Sequence, residues 1–504
     1  MGGESGRRES PAPLRSTRRK PASDDPLQDA IANVSLQETI YGWCPETLQP
    51  YWQRVEASHL GARLVRGVFW TLAGTVISRG VILVSGILIA RLLGKTAFGE
   101  FGIIQSTVGM FGVFAGLGLG ITATKYVSQF RKADPLKAGR IMALTGAMGF
   151  LTGGVATVGM VLLAPWLASR TLAAPHMGSL LAIGSGLLFF TAMNGVQNGA
   201  LAGLEAFRTI AWVNLISSVA CLPIIIAGAW WGGLKGAVWG SIASQASTWA
   251  LAHFALRREA LRSGLPLFPK GWTREWPVLW KFSLPMLLSG MLISPVNWIC
   301  CAMLVNVSNG YSEMGVFNAA NQWFSVLLFL PGILGQAVFP MFAECHARGD
   351  RANSIRIVLT SVGANLLVVV PMIVLASLAS PWIMRCYGAA FQDQWPTLTV
   401  VLITGGLTAL LVPASAIFAV SGRMWIGAFT SFGWALAFIG LTVCLVQHGA
   451  LGLASARLGA YGIHAVWTAG LAYYIVRKDF SINGKISWNA SPRNVDAETV
   501  LASR

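Results

Sequence analysis

Apolar runs of 20 residues or more fill the chain from Gly67 to about residue 476, separated by short polar stretches. A helix needs about 20 apolar residues to cross a bilayer. The pattern predicts twelve such segments: 67–93, 98–124, 140–165, 179–203, 209–231, 234–256, 281–305, 313–340, 355–382, 397–420, 424–446 and 450–476. The longest connection lies near the middle, at 257–280. The expected fold class is an all-α polytopic membrane protein with twelve transmembrane helices. Its expected organisation is a polar tail (1–62), a six-helix bundle (63–256), a linker (257–280), a second six-helix bundle (281–478) and a short tail (479–504). The first 60 residues are polar or mixed, so the run at Gly67 is expected to be an uncleaved span. Leu27, Ile31 and Val34 in the tail have helical spacing, which fits either a short interfacial helix or a weakly ordered tail.

Composition agrees. Of 504 residues, 54% are hydrophobic and 11% charged, against about 25% charged in an ordinary soluble protein. That excludes a disordered chain, a coiled coil and a typical soluble enzyme. The net charge of +17 suggests a nucleic-acid partner only in a soluble protein; here it is read as topology. With the N-terminus placed inside, 30 Lys/Arg fall on the inner side and 5 on the outer, while Arg79 and Arg457 lie within spans. Cytoplasmic loops collect basic residues. Both termini and the linker are therefore expected in the cytoplasm, and the bacterial inner membrane is the expected location.

Three short matches suggest an internal repeat. Residues 98–103 answer 311–316, 138–141 answer 354–357, and 233–236 answer 449–452. Six spans per half give both halves the same orientation. Parallel six-helix repeats around a central cavity form a transporter architecture, with the substrate path between them.

The chemistry-bearing residues are few. The seven cysteines have no metal-ligand spacing, and no Gly-x-x-x-x-Gly-Lys phosphate loop occurs, so no cofactor, metal or enzymatic activity is expected. Charges within spans are costly and mark function. Arg79 lies about 18 Å into the first span at 1.5 Å per residue. Arg457 lies in the last span, and Lys125 near the inner end of the second. No Asp or Glu stands at mid-depth, so a cavity here is expected to be positive and to bind an anion such as phosphate or pyrophosphate. Glu100 and Glu313, repeat-equivalent by the first match, lie at outer helix ends and are candidate gating residues. Asn194, Gln197 and Asn198 cluster in the fourth span, Asn318, Asn321 and Gln322 in the eighth, and Asn297 lies in the seventh. Such amides bind sugar hydroxyls or join helices. Trp298 and Trp323 are candidates for stacking on sugars.

The runs Ile77-Ser78-Arg79, Ala90-Arg91-Leu92-Leu93-Gly94 and Phe98-Gly99-Glu100-Phe101-Gly102 resemble the start of polysaccharide and O-antigen-type flippases. These belong to the multidrug/oligosaccharidyl-lipid/polysaccharide exporter superfamily. Gly116 to Gly120, Thr124-Lys125-Tyr126-Val127 and the Gly203 region continue the likeness, which covers about residues 62 to 480 and is best over 65 to 142. The resemblance implies two six-helix bundles rocking about a central cavity. It also implies movement of a polyprenyl-pyrophosphate-linked oligosaccharide to the outer face, with a substrate-contacting role for Arg79 carried over from related flippases with the same Ser-Arg motif. The implied partners are that anionic lipid, the bilayer, and glycosyltransferases or a polymerase of the same pathway. A multidrug antiporter of the same superfamily and a non-catalytic component of a polysaccharide assembly complex are the alternatives. The long polar N-terminal tail departs from the family pattern.

Overall fold

A backbone group left unpaired in hydrocarbon costs several kcal/mol, so apolar runs of this length fold as helices. The computed structural model describes residues 59–267, 269–279, 283, 291–335, 338, 345, 351–420 and 424–486, and these are helices joined by short turns, without strands. Most of the N-terminal tail, the last 18 residues and part of the seventh predicted span lie outside the described residues. The chain divides into two compact units, Met1–Val68 and Phe69–Arg504; every contact below lies within the second.

The helices are α1 (His59–Gly116), α2 (Leu119–Phe130), α3 (Pro135–Trp166), α4 (Met177–Gly184), α5 (Gly186–Gly203), α6 (Phe207–Arg262), α7 (Ile293–Val305), α8 (Gly310–Leu327), α9 (Arg351–Leu378), α10 (Ser380–Tyr387), α11 (Trp395–Val420), α12 (Met424–Leu445) and α13 (Gly449–Ile486). Among the described residues, eight helical stretches are long and apolar enough to cross a membrane, against the twelve runs expected. Several of the eight are interrupted. Gly94 (φ 78°, ψ 173°) breaks α1, Gly232 and Gly233 break α6, and a short 3-10 turn, Val446–His448, separates α12 from α13. The dihedrals at Gly94 and Gly233 lie in regions that only glycine adopts without strain. The apolar helix α7 is shorter than a full span.

The turns at Gly94, 172–176, 306–309, 388–394 and 446–449 meet at one end of the molecule, called distal here because it lies opposite the basic loops. The N-terminal half (α1–α6) and the C-terminal half (α7–α13) touch there. Arg91 Nε donates to the Cys386 carbonyl at 2.5 Å, and Asn306 Nδ2 donates to the Thr171 carbonyl at 2.7 Å. Tyr311 hydroxyl donates to the Leu172 carbonyl at 2.7 Å. Phe98 packs against Tyr387 and Phe391. At the basic end Arg131 holds the Leu204 carbonyl at 2.7 Å and the Glu205 carboxylate, and the Thr122 and Ser283 hydroxyls meet at 2.7 Å. A short 3-10 turn of the linker, Trp272–Glu275, brings Glu275 to 3.9 Å from Arg140 of α3. Indoles ring the distal end: Trp166, Trp230, Trp231, Trp382 and Trp395 are all exposed.

Candidate functional site

The seam between the halves is built on glycine. A side chain at Gly99 would run into the Tyr311 carbonyl and the Gly315 nitrogen, and one at Gly315 into the Lys95 carbonyl. The pairing is reciprocal. Tyr311 follows Lys95 by 216 positions, as Gly315 follows Gly99, so each half offers the other the same surface. Reciprocity of this kind is the signature of a twofold contact. This register corrects the sequence reading of Glu100 and Glu313 as equivalent positions, which used a spacing of 213. The difference is three residues, close to one helical turn, so the apolar faces match in either register. Only the close backbone approach distinguishes them.

Both carboxylates nonetheless lie at the distal end. Glu313 Oε1 stands 3.6 Å from Lys95 Nζ across the seam, and its Oε2 accepts from the Ala450 N–H at 2.9 Å, at the start of α13. A carboxylate at a helix N-terminus is favoured there by the exposed N–H groups. Glu100 pairs with His176 at 3.0 Å within the N-terminal half.

One to two turns deeper, the seam becomes polar. Trp298 Nε1 donates to Thr107 Oγ1 at 2.9 Å; its ring is buried between the halves and unavailable for stacking on a sugar. Asn318 rests on Gly102, where an added Cβ would stand 2.9 Å from its amide. Gln322 rests on Gly86 and accepts from Tyr387 hydroxyl at 3.1 Å.

Below this layer several glycine faces and polar side chains stand open. Gly109, Gly112 and Gly116 of α1 and Gly332 beyond α8 have open space before them, and Gln105 and Ser325 are exposed. Arg79 belongs to this open region. It precedes Gly86 by seven residues, two helical turns, and so projects from the same face of α1, about 10 Å nearer the basic end. Its side chain is exposed, while neighbouring Ser78 turns the other way to bond the Asn214 carbonyl at 3.0 Å and the Ser218 hydroxyl at 2.5 Å. Gly112 and Gly116 also border a groove of about 840 Å³ between α2 and α5, lined further by Thr124, Thr191 and Asn198. Lys125, on α2, is exposed with its ammonium 5.1 Å from the Tyr126 ring centre.

The remaining predicted residues separate. Asn194 donates to the Gln245 carbonyl at 3.2 Å and its amide oxygen at 3.1 Å, joining α5 to α6. Asn297 bonds back to Ile293 of its own helix at 2.8 Å. In this conformation both amides bond to helices. Asn321 and Arg457 come together: Arg457 Nη1 donates to Asn321 Oδ1 at 2.8 Å, with the guanidinium 4.0 Å over the Phe324 ring. Among the described residues every ion pair lies toward a helix end, and neither Arg79 nor Arg457 has a carboxylate partner. Sequence reasoning missed Gln105, Gly86 and Gly102. A lone amide in the second span was the available signal for Gln105, while the glycines reveal themselves only through the amides facing them.

Comparison with known proteins places this architecture. Residues 64–346 match the family model described as polysaccharide biosynthesis protein. The chain is 25% identical over 370 residues to the EPS I polysaccharide export inner membrane protein EpsE of Ralstonia solanacearum, covering 70% of this chain and 80% of the relative. It is 25% identical over 421 residues to the lipid III flippase of Escherichia coli, covering 80% and 96%. Among solved structures, an inward-facing multidrug resistance MATE family transporter of the MOP superfamily shares the fold, with a TM-score of 0.65 at 18% identity over 81% of this chain and 95% of that one. So does the lipid II flippase MurJ in an inward closed conformation, with a TM-score of 0.61 at 16% identity over 82% and 90%. With more than half its length matched by one family model, and a helical fold shared with transporters of this superfamily, the chain belongs to the polysaccharide biosynthesis protein family.

Proposed function

We propose that this protein flips a polyprenyl-pyrophosphate-linked oligosaccharide from the cytoplasmic to the outer leaflet of the inner membrane by alternating access, with both termini in the cytoplasm. The conformation described is then read as one open toward the cytoplasm, with its described contacts between α1–α6 and α7–α13 gathered toward the distal end. The observation that carries the reading is Arg79, a cation exposed on the same face of α1 as Gly86, with no carboxylate partner among the described residues. A guanidinium presents a fork of donors that matches phosphate oxygens two at a time. Asn198 in the groove, Gln105, and Lys125 near the mouth are the side chains that would meet the sugar.

The reciprocal seam supports two parallel repeats. Twelve spans follow if the long helices are divided at Gly94, at Gly232 and Gly233, and at Val446–His448, and if α7 is counted with them. The domain limits 63–256 and 281–478 then mark the two halves. The relatives are export and flippase proteins, which supports transport without catalysis and supply by glycosyltransferases of the same pathway. The fold is shared with multidrug transporters, but a cation carrier calls for a carboxylate at depth, and the sequence has none there.

Replacement of Arg79 tests the reading. Arg79→Ala is expected to lower glycan export at least about tenfold at normal protein level, since a hydrogen bond to a charged group is worth about 1.5–3 kcal/mol. Arg79→Lys is expected to retain part of it. Full export by a well-expressed Arg79→Ala protein would end the proposal.

A further inference from the structure

Arg457 is 6% exposed. Of its five N–H donors, one meets Asn321, and the Nε is buried without a partner. A charge held this way costs several kcal/mol unless an opposite charge arrives or its surroundings open. The seam is one side chain away. Asn318, Asn321 and Gln322 share one face of α8, being three and four residues apart, and the first and last rest on Gly102 and Gly86 of the other half. Cys301, close to Arg457, meets Ser106 of the other half. Parting the halves at the distal end takes the glycine faces away from the amides and leaves Asn321 and the Phe324 ring between Arg457 and the opened space. Arg79 has the opposite status: it is exposed now, on the part of α1 that the other half would cover.

We infer that Arg457 is a second phosphate-binding cation, serving the conformation in which the distal end is open, and that it takes over the phosphate or pyrophosphate group that Arg79 holds in the conformation described. The inference rests on the anionic-substrate reading of the cleft. The two arginines work in turn, one in each half, each accessible while the other is covered. The buried Nε and the single amide partner keep the Arg457 donors free for an anion without fixing a carboxylate that would compete with it.

Binding of farnesyl pyrophosphate to the full chain in phosphatidylcholine nanodiscs tests this. The closed form is fixed with a carbodiimide that condenses Lys95 with Glu313, the one lysine–carboxylate ion pair among the described residues. The open form is forced by Gly99→Leu, whose side chain cannot fit against Tyr311, and separately by Lys95→Glu, which sets two carboxylates against each other. Lys95→Glu carries the same comparison if Gly99→Leu does not assemble. Arg457→Gln is expected to weaken the probe about tenfold more in the open forms than in the closed one, the scale of a lost charge-assisted contact, and Arg79→Ala the reverse. Equal loss in both forms, or no loss from Arg457→Gln while Arg79→Ala still acts, overturns the inference. If neither arginine matters in any form, the anionic-substrate reading falls as well. Repetition in phosphatidylglycerol nanodiscs separates the sources of phosphate: competition there points to a lipid headgroup, and unchanged binding to the pyrophosphate carrier.

Discussion

Asn321 has the most exacting task of any single side chain, as the hydrogen-bond acceptor for a buried guanidinium. Asn321→Ala removes that bond and is expected to cost about 2 kcal/mol, within the range for hydrogen bonds to charged groups, read as a lower melting temperature in detergent. Asn321→Asp is expected to act oppositely on stability and function: a carboxylate neutralises Arg457 and raises the melting temperature, while export falls because the cation is already occupied. Melting curves beside an export assay check both. The amides show how much of the site was legible in the sequence. Their clustering at depth was plain, and so was the isolation of the two arginines. Their assignments were not, because an amide bonded to a neighbouring helix, as Asn194 is to Gln245, and an amide facing a cleft have the same spacing along the chain. Arg79 is expected to be a deep cation in need of a partner; its side chain is exposed, seven residues before Gly86 on the same face of α1.

The helices themselves followed the apolar runs closely. The run at 140–165 is α3, Pro135–Trp166, and the runs at 209–231 and 234–256 are the two arms of α6. Helix ends were less legible, since α1 and α6 turn at glycines without a polar loop to mark the corner. Gly94 is expected to be the least replaceable of these corners. A side chain at φ 78°, ψ 173° costs about 1–3 kcal/mol, so Gly94→Ala should lower the melting temperature, whereas Gly109→Ala, which faces open space, should leave it within error. Equal melting temperatures for the two variants would show that the corner is not strained. Two of the three repeat matches carry the register of 216 found at the seam, and the first, at 98–103 and 311–316, is three residues off. Hydropathy repeats with nearly every helical turn, so a slip of three residues goes unnoticed until two backbones, at Gly99 and Gly315, are required to touch.

For the whole molecule, moving an anion outward across an inside-negative membrane is assisted by about 2.3 kcal/mol per elementary charge per 100 mV. Flipping in liposomes is expected to rise with an imposed potential and to respond little to a proton gradient alone; strict dependence on the proton gradient at zero potential would count against an electrically driven anion. Orientation is checked separately: a cysteine at Ser263 should react with an impermeant maleimide only after permeabilisation, and one at Lys235 in intact cells. The ring of exposed indoles at the distal end bears on what controls this movement. Tryptophan settles at the boundary between headgroups and hydrocarbon, so on the proposed orientation the ring sets the Lys95–Glu313 pair at the level of the outer headgroups. There, mobile ions screen charge over about 8 Å at physiological ionic strength and about 3 Å at 1 M. A pair only 17% and 21% exposed feels part of that screening, so on the proposed orientation the salinity of the medium outside contributes to the strength of the latch, and the balance between the two conformations depends in part on the cell's surroundings.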